Sequence, residues 1–161
     1  MELFSRFLEG SPDAIRNKYP EVGQLTLING EYRPNIDNFE YEYNFVGEQS
    51  CYKVVVNTFH EEGKGLQANY LVFKTPASAL KGLTPIAEQP RVRMSEAYDV
   101  AYRAGDKPNF YGATVFLQWD RSASEVPTYW FLHDNSREWI LVDAFEPRIV
   151  TITGDQPVQP A

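Results

Sequence analysis

The chain has 161 residues with 43% hydrophobic and 14% aromatic content, enough for a packed core and too much for a disordered segment. Its formal charge of −7 excludes nonspecific attraction to nucleic acid or anionic lipid, since both draw on surplus Lys and Arg. The single cysteine, Cys51, excludes an intrachain disulfide and fits a reducing compartment.

The N-terminal Met-Glu-Leu-Phe-Ser-Arg-Phe-Leu-Glu-Gly has no basic start and no apolar run of secretory type. No segment approaches the roughly 18 apolar residues of a spanning helix. The expectation is a soluble protein with no membrane partner, cytoplasmic as written, or periplasmic or secreted if a leader has been removed. Leu3, Phe4, Phe7 and Leu8 fall at helical spacing before Gly10. Ser11, Pro12 and Asp13 then open a second short helix to about Lys18, as N-cap, first-position proline and first-turn acid, and Pro20 ends it. Leu25 to Ile28 followed by Asn29-Gly30 predicts a compact hairpin whose return strand is cut short at Pro34.

Phe39, Tyr41, Tyr43 and Phe45 alternate with Glu40, Glu42 and Asn44, a strand pattern with one buried face. A turn at Gly47 to Ser50 returns the chain along 51–59 and places Phe45 opposite Tyr52, Tyr43 opposite Val54 and Tyr41 opposite Val56. A third strand, about Leu66 to Lys74, completes an antiparallel meander. Residues 75–93, with Pro76, Pro85 and Pro90, read as a packed connector carrying Leu80, Leu83 and Ile86. Ser95 caps a helix to about Ala104, with Glu96 in its first turn and Gly105 as the stop. Strands follow at about 110–119, 128–134 and 138–145, with a further one at 148–153, before a frayed tail at 155–161.

Residues 128–145 predict a hairpin closed at Asp134-Asn135-Ser136-Arg137. Closure pairs His133 with Glu138, Leu132 with Trp139, Phe131 with Ile140, Trp130 with Leu141 and Tyr129 with Val142. Alternation then puts Trp130, Leu132, Trp139 and Leu141 on one face and Tyr129, Phe131, Ile140 and Val142 on the other. Both faces are apolar, so both must be covered. The expectation is that the helix at Ser95–Ala104 covers the larger, Trp-bearing face, leaving Tyr129, Phe131, Ile140 and Val142 to the first half of the chain or to a partner.

The whole reads as α+β: an antiparallel sheet of about seven strands with three short helices, in one compact unit, 1–154, with pseudo-halves 11–75 and 94–153; an all-β fold is the alternative if those helices are shorter. The expected core holds Phe39, Tyr41, Tyr43, Phe45, Val54, Val56, Leu71, Phe73, Val115, Leu117, Trp130, Leu132, Ile140 and Leu141.

Residues 94–151 resemble a PepSY-type domain, through the helix Met94-Ser95-Glu96-Ala97-Tyr98-Asp99-Val100-Ala101-Tyr102 and the closing strand Trp139-Ile140-Leu141-Val142-Asp143-Ala144. Ala144-Phe145-Glu146-Pro147 stands where such domains carry a Thr-Gly turn. The tandem helix-plus-meander layout is also similar to secreted β-lactamase-inhibitory proteins, which are disulfide-bonded as this chain cannot be. Both resemblances imply a non-catalytic role, inhibiting or binding another protein.

No motif names a reaction. Cys51 and His60 lie at opposite ends of one strand, roughly 30 Å apart at strand rise, and cannot form a thiol dyad. His60-Glu61-Glu62 reads as a solvated turn rather than a metal site. Gly63-Lys64-Gly65 lacks the frame of a phosphate loop. His133 with Glu138 reads first as a cross-strand pair and Asp143 as a backbone ligand. Neither a cofactor, a metal nor a catalytic residue is expected. The sequence therefore favours a protein-binding module of inhibitor or immunity type, engaging another protein or a second copy. Its contact residues would be Tyr129, Phe131, Ile140, Val142, His133 and Glu138. The alternative is a ligand pocket or enzyme in a curved sheet, lined by His133 and Asp143.

Overall fold

A computed structural model describes residues 16–17, 19–33, 40–47, 50–76, 80–105, 113–132 and 137–159. Its strands are β1 (Gln24–Tyr32), β2 (Glu40–Val46), β3 (Ser50–Glu61), β4 (Gly65–Pro76), β5 (Ala113–Gln118), β6 (Thr128–Leu132), β7 (Trp139–Asp143) and β8 (Ile149–Thr153). They form one eight-stranded sheet in the order β4-β3-β2-β1-β5-β6-β7-β8, antiparallel at every joint. One helix, α1 (Met94–Gly105), is formed among the described residues. None there is long and apolar enough to cross a membrane.

The expected α+β fold with three helices and about seven strands is therefore corrected to a predominantly β one. The proposed helix at 3–8 lies outside the described residues, and of that at 11–18 only Arg16 and Asn17 are described as helical. The Asn29-Gly30 turn does not form either. Both residues lie inside β1, where Asn29 faces Glu42 and Phe116, and Gly30 faces Tyr41 and Val115. Gly30 does not take the positive φ that such a turn demands. β1 is the central strand, and hydrogen bonding on both its edges outweighs the local turn preference. A bulge at Thr26 shifts its register against β2.

Elsewhere the hydrophobic pattern and turn lengths set the register as expected. Phe45 faces Tyr52, Tyr43 faces Val54 and Tyr41 faces Val56. Tyr129 faces Val142, Trp130 faces Leu141, Phe131 faces Ile140 and Leu132 faces Trp139. One apolar row, Val72-Val54-Tyr43-Ile28-Leu117-Tyr129-Val142-Ile149, crosses all eight strands.

That row belongs to the face that α1 covers. Met94, Ala97, Tyr98 and Ala101 are buried at i, i+3, i+4 and i+7, one stripe of the helix. The two alanines let the backbone approach, while the Tyr98 ring packs against Tyr32 and Phe131 with centroids 5.0 and 6.2 Å apart. The Glu96 carboxylate accepts from the Arg93 amide at 3.5 Å, closing the first turn. Tyr129 Oη donates to the Val92 carbonyl at 2.8 Å, tying the helix entry to β6.

The Trp-bearing face is not under α1, which corrects the expected pairing. Trp130, Trp139, Leu141, Phe116, Leu27 and Cys51 form a second cluster with Leu80 of the connector, and Leu83 and Ala123 pack on it. The connector leaves β4 on this side and then passes to the other face. Its Thr84 amide donates to the Trp119 carbonyl at 2.9 Å and its Ile86 amide to the Leu25 carbonyl at 2.8 Å. The Arg91 and Val92 amides then donate to the Ala144 carbonyl. The chain order thus delivers α1 to the Tyr129 face after the connector has already filled the Trp face. The tail also differs from a frayed end: Pro157 is buried, and Val158 exchanges two 3.1 Å hydrogen bonds with the Gln118 side chain.

Candidate functional surface

Tyr129, Phe131, Ile140 and Val142, expected as binding residues, are 0%, 0%, 3% and 0% exposed within their own chain. They are core beneath α1 and present nothing to a partner. Glu138 is exposed, and His133 lies outside the described residues together with the turn at Asp134 to Ser136.

Asp143 is buried, and its carboxylate is spent on the β7–β8 turn. Oδ1 accepts from the Phe145 amide at 2.7 Å and the Glu146 amide at 3.3 Å. Oδ2 meets Arg148 Nη2 at 3.0 Å. This is an Asx-type turn with a charge-assisted closure, and it has no geometry for proton transfer. Among the described residues no group of three His, Cys, Asp or Glu could hold a metal. An open cleft of about 600 Å³ is lined by Pro20, Glu21, Gly23, Gln24, Val46 and Gly47. Among its described lining residues Glu21 alone is ionisable, and they do not form the convergent polar set of an active site.

Among the described residues burial perturbs two tyrosines. Burial first, then neighbouring Tyr41, Tyr70 and Tyr129, raises Tyr43 well above its ordinary range. Tyr98 is pushed up to about 12 by burial, then by Tyr102 and Asp99. Both rings sit in the core cluster between α1 and the sheet, where a raised pKa records desolvation rather than catalysis.

The surface feature that stands out is the outer strand. Leu71 and Phe73 are 53% and 47% exposed, although both were expected in the core. By register they share the sheet face opposite α1 with Val55, Lys53 and Glu42. Lys53 Nζ lies 5.6 Å from the Phe73 ring centroid and 3.6 Å from Glu42 Oε1. Asn29 Nδ2 donates to Glu42 Oε2 at 3.3 Å, and Asn44 Nδ2 donates to Asn29 Oδ1 at 3.3 Å. An ordered polar row therefore borders an exposed apolar pair, the layout of an interface core with its rim.

The sequence missed this surface because strand 65–76 is apolar on both faces, with Val72 and Tyr70 on one and Leu71 and Phe73 on the other. A two-sided strand reads as central. The available signal was chain order: β4 ends a meander, which assures it a paired neighbour on one side only, and the pairing of β1 with β5 in the structure leaves it outermost.

No family model matches the chain, and no curated protein matches it. A solved structure shares its fold. That structure is a candidate lipoprotein from Clostridium difficile 630, with a TM-score of 0.59, 16% identity and 90% of each chain covered. At this identity the likeness carries the architecture of the sheet and nothing about its chemistry.

Proposed function

We propose that this chain is a non-catalytic protein-binding module, of inhibitor type, acting through the sheet face at β3–β4. The observation that carries the reading is the pair Leu71 and Phe73, side by side and about half exposed on an ordered sheet. Rigid aromatic and aliphatic groups of this kind supply most of the energy of an interface when a partner desolvates them. Lys53 and Glu42, already paired and held by Asn29, form a rim that orients a partner at little ordering cost. The hairpin aromatics are buried in the fold, whereas Leu71 and Phe73 of the outer strand remain exposed. The candidate lipoprotein of like fold supports a setting at the cell envelope, which fractionation of the native organism checks.

The test is paired retention. The wild-type chain and a Leu71→Ser/Phe73→Ser double variant, shown to be equally folded by circular dichroism, are immobilised and exposed to extract of the native organism. At least one protein is expected on the wild type and not on the variant. Identical retention by both would overturn the assignment of this face.

A further inference from the structure

The two edges of the sheet are built differently. β8 is five residues long, and Val150 bulges its pairing with β7; shortness and bulging are devices that protect an edge from foreign strands. β4 has neither. It is twelve residues long and pairs with β3 from Gly65 to Pro76 without a register shift. Lys74 is its only charged residue and Pro76 its last residue. Among the described residues no strand lies on its outer side. A long, regular, nearly uncharged edge is a template for another strand.

We propose that the strand it takes is β4 of a second copy, paired antiparallel about a twofold axis at Val72, which joins two eight-stranded sheets into one. The argument is self-complementarity. Side chains opposite each other in an antiparallel pair lie on the same face, so a twofold axis perpendicular to the sheet must match residues of like parity. Centring on Val72 sets Val72 against Val72, Leu71 against Phe73, Tyr70 against Lys74 and Asn69 against Thr75, each of the last three occurring twice. Every match is favourable: aliphatic on aliphatic, aliphatic on aromatic, cation on aromatic ring, amide on hydroxyl. Centring on Leu71 instead would put Phe73 against Asn69 and Lys74 against Ala68. Charge agrees. A chain of net charge −7 repels its copy, and this edge adds no acidic group to that repulsion, because its one charge is a lysine placed against a tyrosine. The pairing uses the strand's edge, goes beyond the binding role of the face above it, and brings the Leu71 and Phe73 pairs of both copies into one platform.

Sedimentation velocity of the full chain across a concentration series is expected to show association to twice the chain mass. Leu71→Asp sets a carboxylate against the Phe73 ring of the other copy, twice in each dimer, and adds to the repulsion between two acidic chains. It should raise the dissociation constant at least about tenfold, equivalent to about 1.4 kcal/mol. The register is read separately by cysteine variants under oxidised glutathione. Val72→Cys places two thiols across the axis, where opposing Cβ atoms sit about 5 Å apart, and should form a covalent dimer. Tyr70→Cys places them about 13 Å apart along the strands, beyond bridging distance, and should not. The proposal is overturned by a monomer at every concentration, by a Leu71→Asp variant that dimerises like wild type, or by crosslinking through Tyr70→Cys in place of Val72→Cys. A monomer that still retains a foreign protein through Leu71 and Phe73 would overturn the dimer alone and leave the binding face intact.

Discussion

Phe131 shows how a residue chosen for binding can be claimed by the fold. Its ring is fully buried and sits 6.2 Å from both the Tyr98 and Tyr129 ring centroids, so it joins α1 to β6. Removing it leaves a cavity walled by rigid aromatics that cannot collapse. Phe131→Ala is therefore expected to cost about 3–5 kcal/mol of stability, read as a lower urea midpoint with an unchanged slope. Loss of association at an unchanged midpoint would return Phe131 to the surface. The pairing of Phe131 with Ile140 was legible, because an Asp-Asn-Ser turn between two apolar runs fixes the register. The covering of that face was not, since either apolar face of the hairpin satisfies the same pattern. The choice was made by the connector, whose Leu80 fills the Trp face first.

At the scale of elements, α1 was the most legible piece and its docking the least. The apolar stripe that the sequence offers, Tyr98, Ala101 and Tyr102, is buried at the first two and partly buried at the third, but nothing in that spacing says which sheet face receives it. The Asn29-Gly30 misreading has a similar cause: local turn chemistry is strong, and only β5, some 85 residues later in the chain, supplies the second edge that keeps β1 straight. Docking of α1 also makes the protein sensitive to alkali. The folded-state pKa of Tyr98 is raised from 10.0 to about 12, so the folded chain holds that proton more tightly than the unfolded one. The stabilisation is complete below about pH 10 and is lost as pH rises towards 12; Tyr43, shifted in the same direction by deeper burial, adds to it. Phenolate absorbance at 295 nm for these two rings should thus appear together with loss of near-ultraviolet dichroism. Their ionisation near pH 10 in a protein that keeps its native dichroism would contradict the burial described here.

For the whole molecule, the decisive joint is β1 with β5, which among the described residues is the one strand pair linking the two meanders. It runs from Leu27 opposite Gln118 to Tyr32 opposite Ala113. Ile28 and Leu117 at its centre are 1% and 0% exposed. The connector braces it with the bonds from Ile86 to Leu25 and from Thr84 to Trp119. A joint this well buried should make the halves unfold together, although each is a meander that could close its own local pairs. The probes to test this are supplied by composition. All three tryptophans, Trp119, Trp130 and Trp139, lie in the second half, so their fluorescence reports β5 to β7, while far-ultraviolet dichroism is dominated by the longer strands β1 to β4. One coincident urea transition by both signals is expected, as for a two-state domain. Leu117→Ala, which hollows the joint, should lower both midpoints equally, by about 2–5 kcal/mol in stability. Two separated transitions, or a shift confined to the tryptophan signal, would show that the halves are independent units that merely share a sheet.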